Sequence, residues 1–236
     1  MSPLNELLSS GLTDLGLSPA SAPVLSEYQR LLLEQNQTMN LTAITDPDQC
    51  ARLNLLDSAA LLTCADFAGK RVLDVGTGAG FPGMVLRLAE PSIRLTLLDS
   101  LQKRMDWLRS IAPALGVEDM EILHGRAEEL GREPAYREQF DLVTSRAVAD
   151  LRLLCELCLP FVRPGGLFLA MKGQRAQEEK DNAARCISIL GGRLQKDRTY
   201  QIPGTDIVHR VVVVEKVTTT SGVYPRRFSK MKKNPL

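Results

Sequence analysis

The sequence predicts an α/β domain: a mostly parallel, seven-stranded sheet flanked by helices and preceded by a helical extension. Three observations carry that expectation. Short apolar runs alternate with segments of helical spacing, the pattern of parallel strands joined by crossover helices. The first strand runs into a glycine-rich turn, Gly76-Thr77-Gly78-Ala79-Gly80. Polar residues recur just after each predicted strand, the edge at which open α/β sheets hold ligands.

The elements follow in order. Residues 1–22 are weakly patterned, with Gly11, Gly16, Pro19 and Pro23 as breaks. The spacing of Val24, Leu25, Tyr28, Leu31 and Leu32 predicts an amphipathic helix over 24–37. A polar loop leads to Asp46-Pro47, a cap and a first-turn proline for a second helix over 48–67. Asn40, Thr42, Asp57 and Ser58 read there as loop hydrogen bonding and helix surface. Strands are predicted over 72–75, 93–98, 120–123, 140–144, 167–171, 194–202 and 207–216, the last two as a hairpin through Pro203-Gly204. Helices are predicted from Phe81 onward and over 101–115, 151–162 and 178–190. Pro164-Gly165-Gly166 reads as a turn before the fifth strand. The chain thus divides into a helical extension over 1–68 packed on an α/β domain over 69–217, and a tail over 218–236.

Composition narrows the class. The chain has 236 residues, 44% hydrophobic and 24% charged, with a net charge of +1. The total points to no acidic partner, but the tail holds Arg226, Arg227, Lys230, Lys232 and Lys233 with no acid. No apolar run reaches the roughly 20 residues of a membrane span. The first residues lack a basic leader, and five scattered cysteines suit a reducing compartment, so a cytoplasmic protein is expected. Cys155-Glu156-Leu157-Cys158 falls in a helical run without a matching second pair; these read as packing thiols, and no metal is expected.

The glycine turn lets backbone N–H groups approach a ligand at a helix N-terminus. A dinucleotide fingerprint would place its third glycine at position 81, where this chain has Phe81, with glycine at 80 instead. That spacing is similar to the first motif of the S-adenosylmethionine-dependent methyltransferases. Asp99-Ser100 follows the second strand at the distance expected of a ribose-binding acid. His124-Gly125-Arg126-Ala127-Glu128-Glu129 follows the third, with backbone and Glu128 placed to read an adenine edge. Ser145-Arg146-Ala147 follows the fourth, and Lys172-Gly173-Gln174 the fifth.

The run from Asp74 to Gly83, then Leu98-Asp99-Ser100 with Lys103-Arg104, resembles the RsmG (GidB) family of bacterial small-subunit ribosomal RNA guanine-N7 methyltransferases. Asn40-Leu41-Thr42, Leu56-Asp57-Ser58, Arg126-Ala127-Glu128-Glu129, Ser145-Arg146-Ala147 and Lys172-Gly173 extend the match from about residue 25 to 214. The resemblance implies a Rossmann-like class I methyltransferase fold. It implies an S-adenosylmethionine cofactor, released as S-adenosylhomocysteine, at Gly76, Gly78, Gly80, Phe81, Asp99, Ser100, Leu101, Ala127, Glu128 and Arg146. The implied partner is 16S ribosomal RNA or the small subunit, at guanosine 527 of the 530 loop; a monomer is expected. One departure is visible: the family's Arg-His pair before Leu-Asp-Ser is here Leu53-Asn54.

The chemistry is compatible. Cytosine C5 methylation needs a thiolate, commonly in a Pro-Cys pair, and no Pro-Cys occurs. Amine methylation often uses an Asn/Asp-Pro-Pro-Tyr loop, and that place is Thr144-Ser145-Arg146-Ala147. Guanine N7 has a free lone pair and needs neither. Arg146 and Lys172 are the candidates for orienting the guanine; Arg146 can instead serve the cofactor, and Lys172 can be a solvated strand end. The tail is expected to follow an RNA backbone, the alternative being a solvated terminus. Competing readings are a small-molecule or protein methyltransferase, a non-catalytic RNA-binding assembly factor and, more distantly, a nicotinamide oxidoreductase.

Overall fold

A computed structural model describes residues 2–146, 149–173 and 176–236. Ala147 and Gln174 of the sequence motifs lie outside the described residues. The strands are β1 (Arg71–Val75), β2 (Arg94–Asp99), β3 (Glu121–His124), β4 (Phe140–Arg146), β5 (Val162–Lys172), β6 (Gly192–Leu194), β7 (Arg198–Gln201) and β8 (Val208–Lys216). Their order is β3-β2-β1-β4-β5-β8-β6, with β7 also on β8. The first five run parallel, and β8 is antiparallel to β5, β6 and β7. The strand order reverses between β1 and β4, so their carboxyl ends flank the crevice where such sheets bind ligands.

Eight strands stand where seven are predicted. The expected strand over 194–202 is two short strands, broken where Asp197 turns its carboxylate to Lys180 (2.9 Å) and Arg210 (3.0 Å). Pro164-Gly165-Gly166 also departs from expectation. It lies inside β5, where the register against β4 slips between Phe140 and Leu142, so the glycines form a bulge rather than a turn before the strand.

The sheet alternates between two cores, as the pleat dictates. Val72, Leu97, Leu142, Leu169, Val211 and Val213 face one; Leu73, Leu98, Val143, Phe168, Val212 and Val214 face the other. The first core takes α1 (Pro3–Asp14) and α2 (Ala22–Met39) through Leu8, Leu12, Tyr28 and Leu32. It then takes α3 (Pro47–Cys50), a π-helical stretch (Ala51–Leu56), α4 (Asp57–Ala59), α5 (Gly83–Ala89) and α6 (Gln102–Ile111). A short helix, α7 (Ala127–Leu130), follows β3. The second core takes α8 (Leu151–Cys158), α9 (Ala176–Ile189) and α10 (Phe228–Lys233).

The helix α1 is a correction. Gly11 reads as a breaker, yet it lies within the helix because a Cβ there would fall 2.3 Å from Leu56 Cδ1. The glycine admits a neighbouring side chain; it does not end the element. The predicted helix over 48–67 is likewise a continuous helical path of changing pitch over 47–63, and its Asp57 and Ser58 are buried, not surface. The tail is built into the fold: Arg132 and Arg137 donate to the carbonyls of Thr220, Val223, Tyr224 and Pro225, and Met231 is buried in the second core. Cys155 and Cys158 are buried in that same core, and burial pushes both thiols well above their usual range.

Candidate active site

The glycine turn is held from three sides. The buried Asp74 is the next-to-last residue of β1; its carboxylate accepts from the Gly83 N–H (3.0 Å) and the Thr144 hydroxyl (2.9 Å), tying β1 to α5 and β4. Burial pushes this carboxyl up. Gly80 takes φ +98°, and a Cβ there would fall 2.6 Å from the Tyr28 hydroxyl. That hydroxyl donates to the Ala79 carbonyl, so α2 of the N-terminal segment braces the back of the turn. Asp99 closes the third side: one carboxylate oxygen accepts from the Gly78 N–H and the other from the Leu101 N–H, both at 2.9 Å.

In front of the turn is a cavity of about 520 Å³. Gly76, Gly78, Phe81, Asp99, Ser100, Leu101, Ala127, Glu128 and Arg146 line it. Gly80 does not; it faces Tyr28 behind the turn. Thr42, Arg104, Arg126, Leu157 and Phe228 also line the cavity and escaped the sequence reading. Arg104 and Arg126 sit in motifs that carried the resemblance, a signal that was present. Phe228 offered only its aromatic character within a basic tail.

The donor set suits a nucleoside with an amino-acid arm. A carboxylate has about four acceptor positions, and Asp99 uses one on each oxygen for the turn, leaving two for a vicinal diol. Leu101 is 49% exposed and Phe228 36%, two large apolar side chains left open to a planar base. The volume falls in the ordinary range for small-molecule sites.

A second cavity, of about 850 Å³, opens on the other side of Arg146. Its walls include Asn54, Asp57, Lys172, Glu179 and His209. Arg146 lines both cavities. Its guanidinium donates to the Leu53 carbonyl (3.1 Å) and the Asn54 amide oxygen (3.0 Å), pairs with Asp57 (3.4 Å), and lies 4.8 Å over the Phe81 ring. The Leu53-Asn54 departure therefore holds this arginine by a backbone carbonyl and an amide. Asp57 also accepts from Tyr200 (2.7 Å) and bonds His209 Nδ1 (2.8 Å). The Asp57 hydrogen bond holds the imidazole above its usual range.

Two of the expected cations are already paired. Lys172 is 9% exposed and its ammonium is shared between Glu179 (2.7 Å) and the Ala149 carbonyl (2.6 Å), so it is neither a solvated strand end nor a free cation. Arg226 forks onto the buried Glu156 through Nε (2.8 Å) and Nη2 (2.6 Å), which commits that guanidinium to the fold. Arg227, Lys230, Lys232 and Lys233 are exposed. Among the described residues no group of three or more His, Cys, Asp or Glu is placed to hold a metal ion, and no helix is long and apolar enough to cross a membrane.

Comparison with known proteins agrees with this geometry. The GidB family model, described as rRNA small subunit methyltransferase G, matches residues 22–203. The chain is 41% identical to the ribosomal RNA small subunit methyltransferase G of Alkaliphilus metalliredigens over 98% of each chain. It is 45% identical to that of Symbiobacterium thermophilum over 98% of this chain and 97% of the relative. Among solved structures, TrmN from Thermus thermophilus superposes with a TM-score of 0.53 at 24% identity, over 69% of this chain and 48% of that one, which supports the fold alone. A glycine turn braced by Asp74 and Asp99, on a sheet of this order and within a match running nearly the whole chain, leads to one conclusion: the chain belongs to the GidB family, the small-subunit ribosomal RNA methyltransferases G.

Proposed function

We propose that this chain transfers a methyl group from S-adenosylmethionine to N7 of a guanine in 16S ribosomal RNA. The observation that carries this reading is that two cavities meet at Arg146, one with a nucleoside-binding donor set and one open to a flat base. The particular nucleotide, guanosine 527 of the 530 loop, follows from the family resemblance.

S-adenosylmethionine, when bound, supplies a methyl group on a positively charged sulfur. The N7 lone pair forms the new carbon–nitrogen bond as the carbon–sulfur bond breaks, and no proton needs removal. The protein's work is to hold N7 in line at roughly 3–3.5 Å and to exclude water. Asp99 holds the ribose hydroxyls, Ala127 and Glu128 read the adenine edge, and the backbone of Gly76 and Gly78 accommodates the amino-acid arm. On the base side Arg146 and His209 present N–H donors, and guanine O6, the acceptor beside N7, takes them. An imidazole whose protonated form Asp57 favours suits donation, not proton abstraction. Lys172 acts through Glu179, holding the cavity wall. The methylated ring gains a positive charge, and among the described residues Asp57, Asp150, Glu178 and Glu179 face it with Arg146, Lys172 and the His209 imidazole. That surplus of carboxylates favours the charge as it develops.

N7 is hidden in the deep groove of A-form RNA, so the target base sits in a loop or is extruded. Arg227, Lys230, Lys232 and Lys233 are the residues proposed to follow its backbone. The test is transfer of labelled methyl to small-subunit RNA from cells lacking the enzyme, mapped by aniline cleavage at N7-methylguanine. One new cleavage site is the expected result. Labelling without cleavage overturns the N7 assignment; no labelling on RNA or subunits overturns the activity.

A further inference from the structure

We propose that the C-terminal segment is part of the cofactor site, with Phe228 forming the aromatic wall against the adenine. The proposal rests on the reading that the 520 Å³ cavity takes S-adenosylmethionine. Phe228 lines that cavity, and it also lines the adjoining one of about 630 Å³ with Arg126 and Glu128. It therefore stands at the end formed by the residues after β3, which is the purine end. It is 36% exposed although the segment around it is firmly anchored.

The anchors lie on both sides in sequence. Before it, Arg226 forks onto Glu156, which is 1% exposed, and the Arg226 N–H donates to the same carboxylate at 2.8 Å. After it, Met231 is 1% exposed in the core beneath α8. A side chain held by two buried contacts yet left open itself is pre-positioned, so a planar ligand stacks on it without ordering the segment first. The exposed Lys230, Lys232 and Lys233 ride on the same helix.

The test is calorimetric titration of the full chain with S-adenosylhomocysteine and with 5′-methylthioadenosine, which keeps the nucleoside and lacks the amino-acid arm. Stacking of a base on an aromatic is worth roughly 1–3 kcal/mol, so Phe228→Ala is expected to weaken both ligands about tenfold. Phe228→Tyr is expected to restore both to within about threefold, which a merely structural role would not require. Thermal unfolding without ligand should be unchanged, showing that the variant is folded. Asp99→Ala, losing the ligand for a different reason, checks the cavity itself. Wild-type affinity in Phe228→Ala while Asp99→Ala fails overturns this proposal and leaves the cofactor reading standing. A loss confined to S-adenosylhomocysteine overturns the adenine assignment. No binding by the wild-type chain overturns both.

Discussion

The two cavities that meet at Arg146 are built by different means. The polar frame of the proposed cofactor side is made of short local motifs, the turn at 76–80, Asp99 with the Leu101 N–H and the start of α7, while Thr42, Leu157 and Phe228 reach its cavity from far along the chain. Its polar contacts are largely backbone N–H to carboxylate. The base side is made of residues far apart in sequence: Asp57 meets His209 across 152 positions and Tyr200 across 143, and Arg146 reaches Asn54 across 92. Its contacts are between ionised or polar side chains, several of them buried. The difference teaches that ligand geometry is carried by a local loop, while the base side doubles as the brace between the N-terminal helices and the sheet.

The largest effect expected from that contrast is at Asp57. Removing one member of a buried ionic set strands the others. Asp57→Ala should cost about 3 kcal/mol of unfolding free energy, toward the low end for a broken buried pair, because the Arg146 side chain keeps 19% exposure. Urea unfolding measures it, and methyl transfer should fall with it. Unchanged stability would mean that the base side braces nothing, and the comparison would collapse.

Asp99→Ala should do the reverse. It removes a charged acceptor from two backbone N–H groups and from the ribose diol, so cofactor affinity should drop roughly 100-fold. Stability without cofactor should change by less than about 1.5 kcal/mol, since both N–H groups lie near an open cavity and regain water. A large loss of ligand-free stability would show that the turn is as structural as the ionic side.

A smaller effect separates the two parts of the tail. Lys232→Ser with Lys233→Ser should leave thermal stability within about 0.5 kcal/mol. The slope of log affinity against log salt on single-stranded RNA should fall by roughly 0.7 for each phosphate no longer neutralised. An unchanged slope would remove these lysines from the RNA path.

The smallest effect is the pH dependence at His209. Asp57 raises its folded pKa above the unfolded value of about 6.5. The protonated imidazole therefore stabilises the fold fully below that unfolded value, and the stabilisation is lost as pH rises through the raised folded one. The melting-temperature advantage of wild type over His209→Gln should shrink as pH rises from about 6.5 through the raised folded value. A gap that stays constant across that range would show that Asp57 and His209 are not coupled by charge.

The same contrast marks how far the sequence could be read. The glycine turn, Asp99, Glu128 and the alternation of strands and helices were legible because each is a short pattern whose physics is local. Phe81, Ser100, Leu101 and Ala127 came with the same motifs. Asp57 looked like helix surface, because helical spacing cannot say that Tyr200 and His209 arrive from strands 140 or more residues later. Lys172 read as a base-orienting residue or a solvated strand end and Arg226 as an RNA contact, with no sign of their pairing, because their partners Glu179 and Glu156 are supplied by neighbouring helices. Gly11 looked like a break, because only packing shows that Leu56 needs the space. Phe228 read as part of a tail that follows RNA, because the guanidinia that hold that segment stand about 90 residues upstream.

By itself the sequence determined the sheet's parallel character, the turn and the family, since strand periodicity, glycine spacing and motif residues are properties of adjacent positions. Only the tertiary structure decided which charges are paired, that Arg146 divides two cavities and that the tail closes one of them. Burial and charge pairing depend on what the chain brings together from a distance, and the free energy of an ionised side chain is set by those neighbours, not by its own place in the chain.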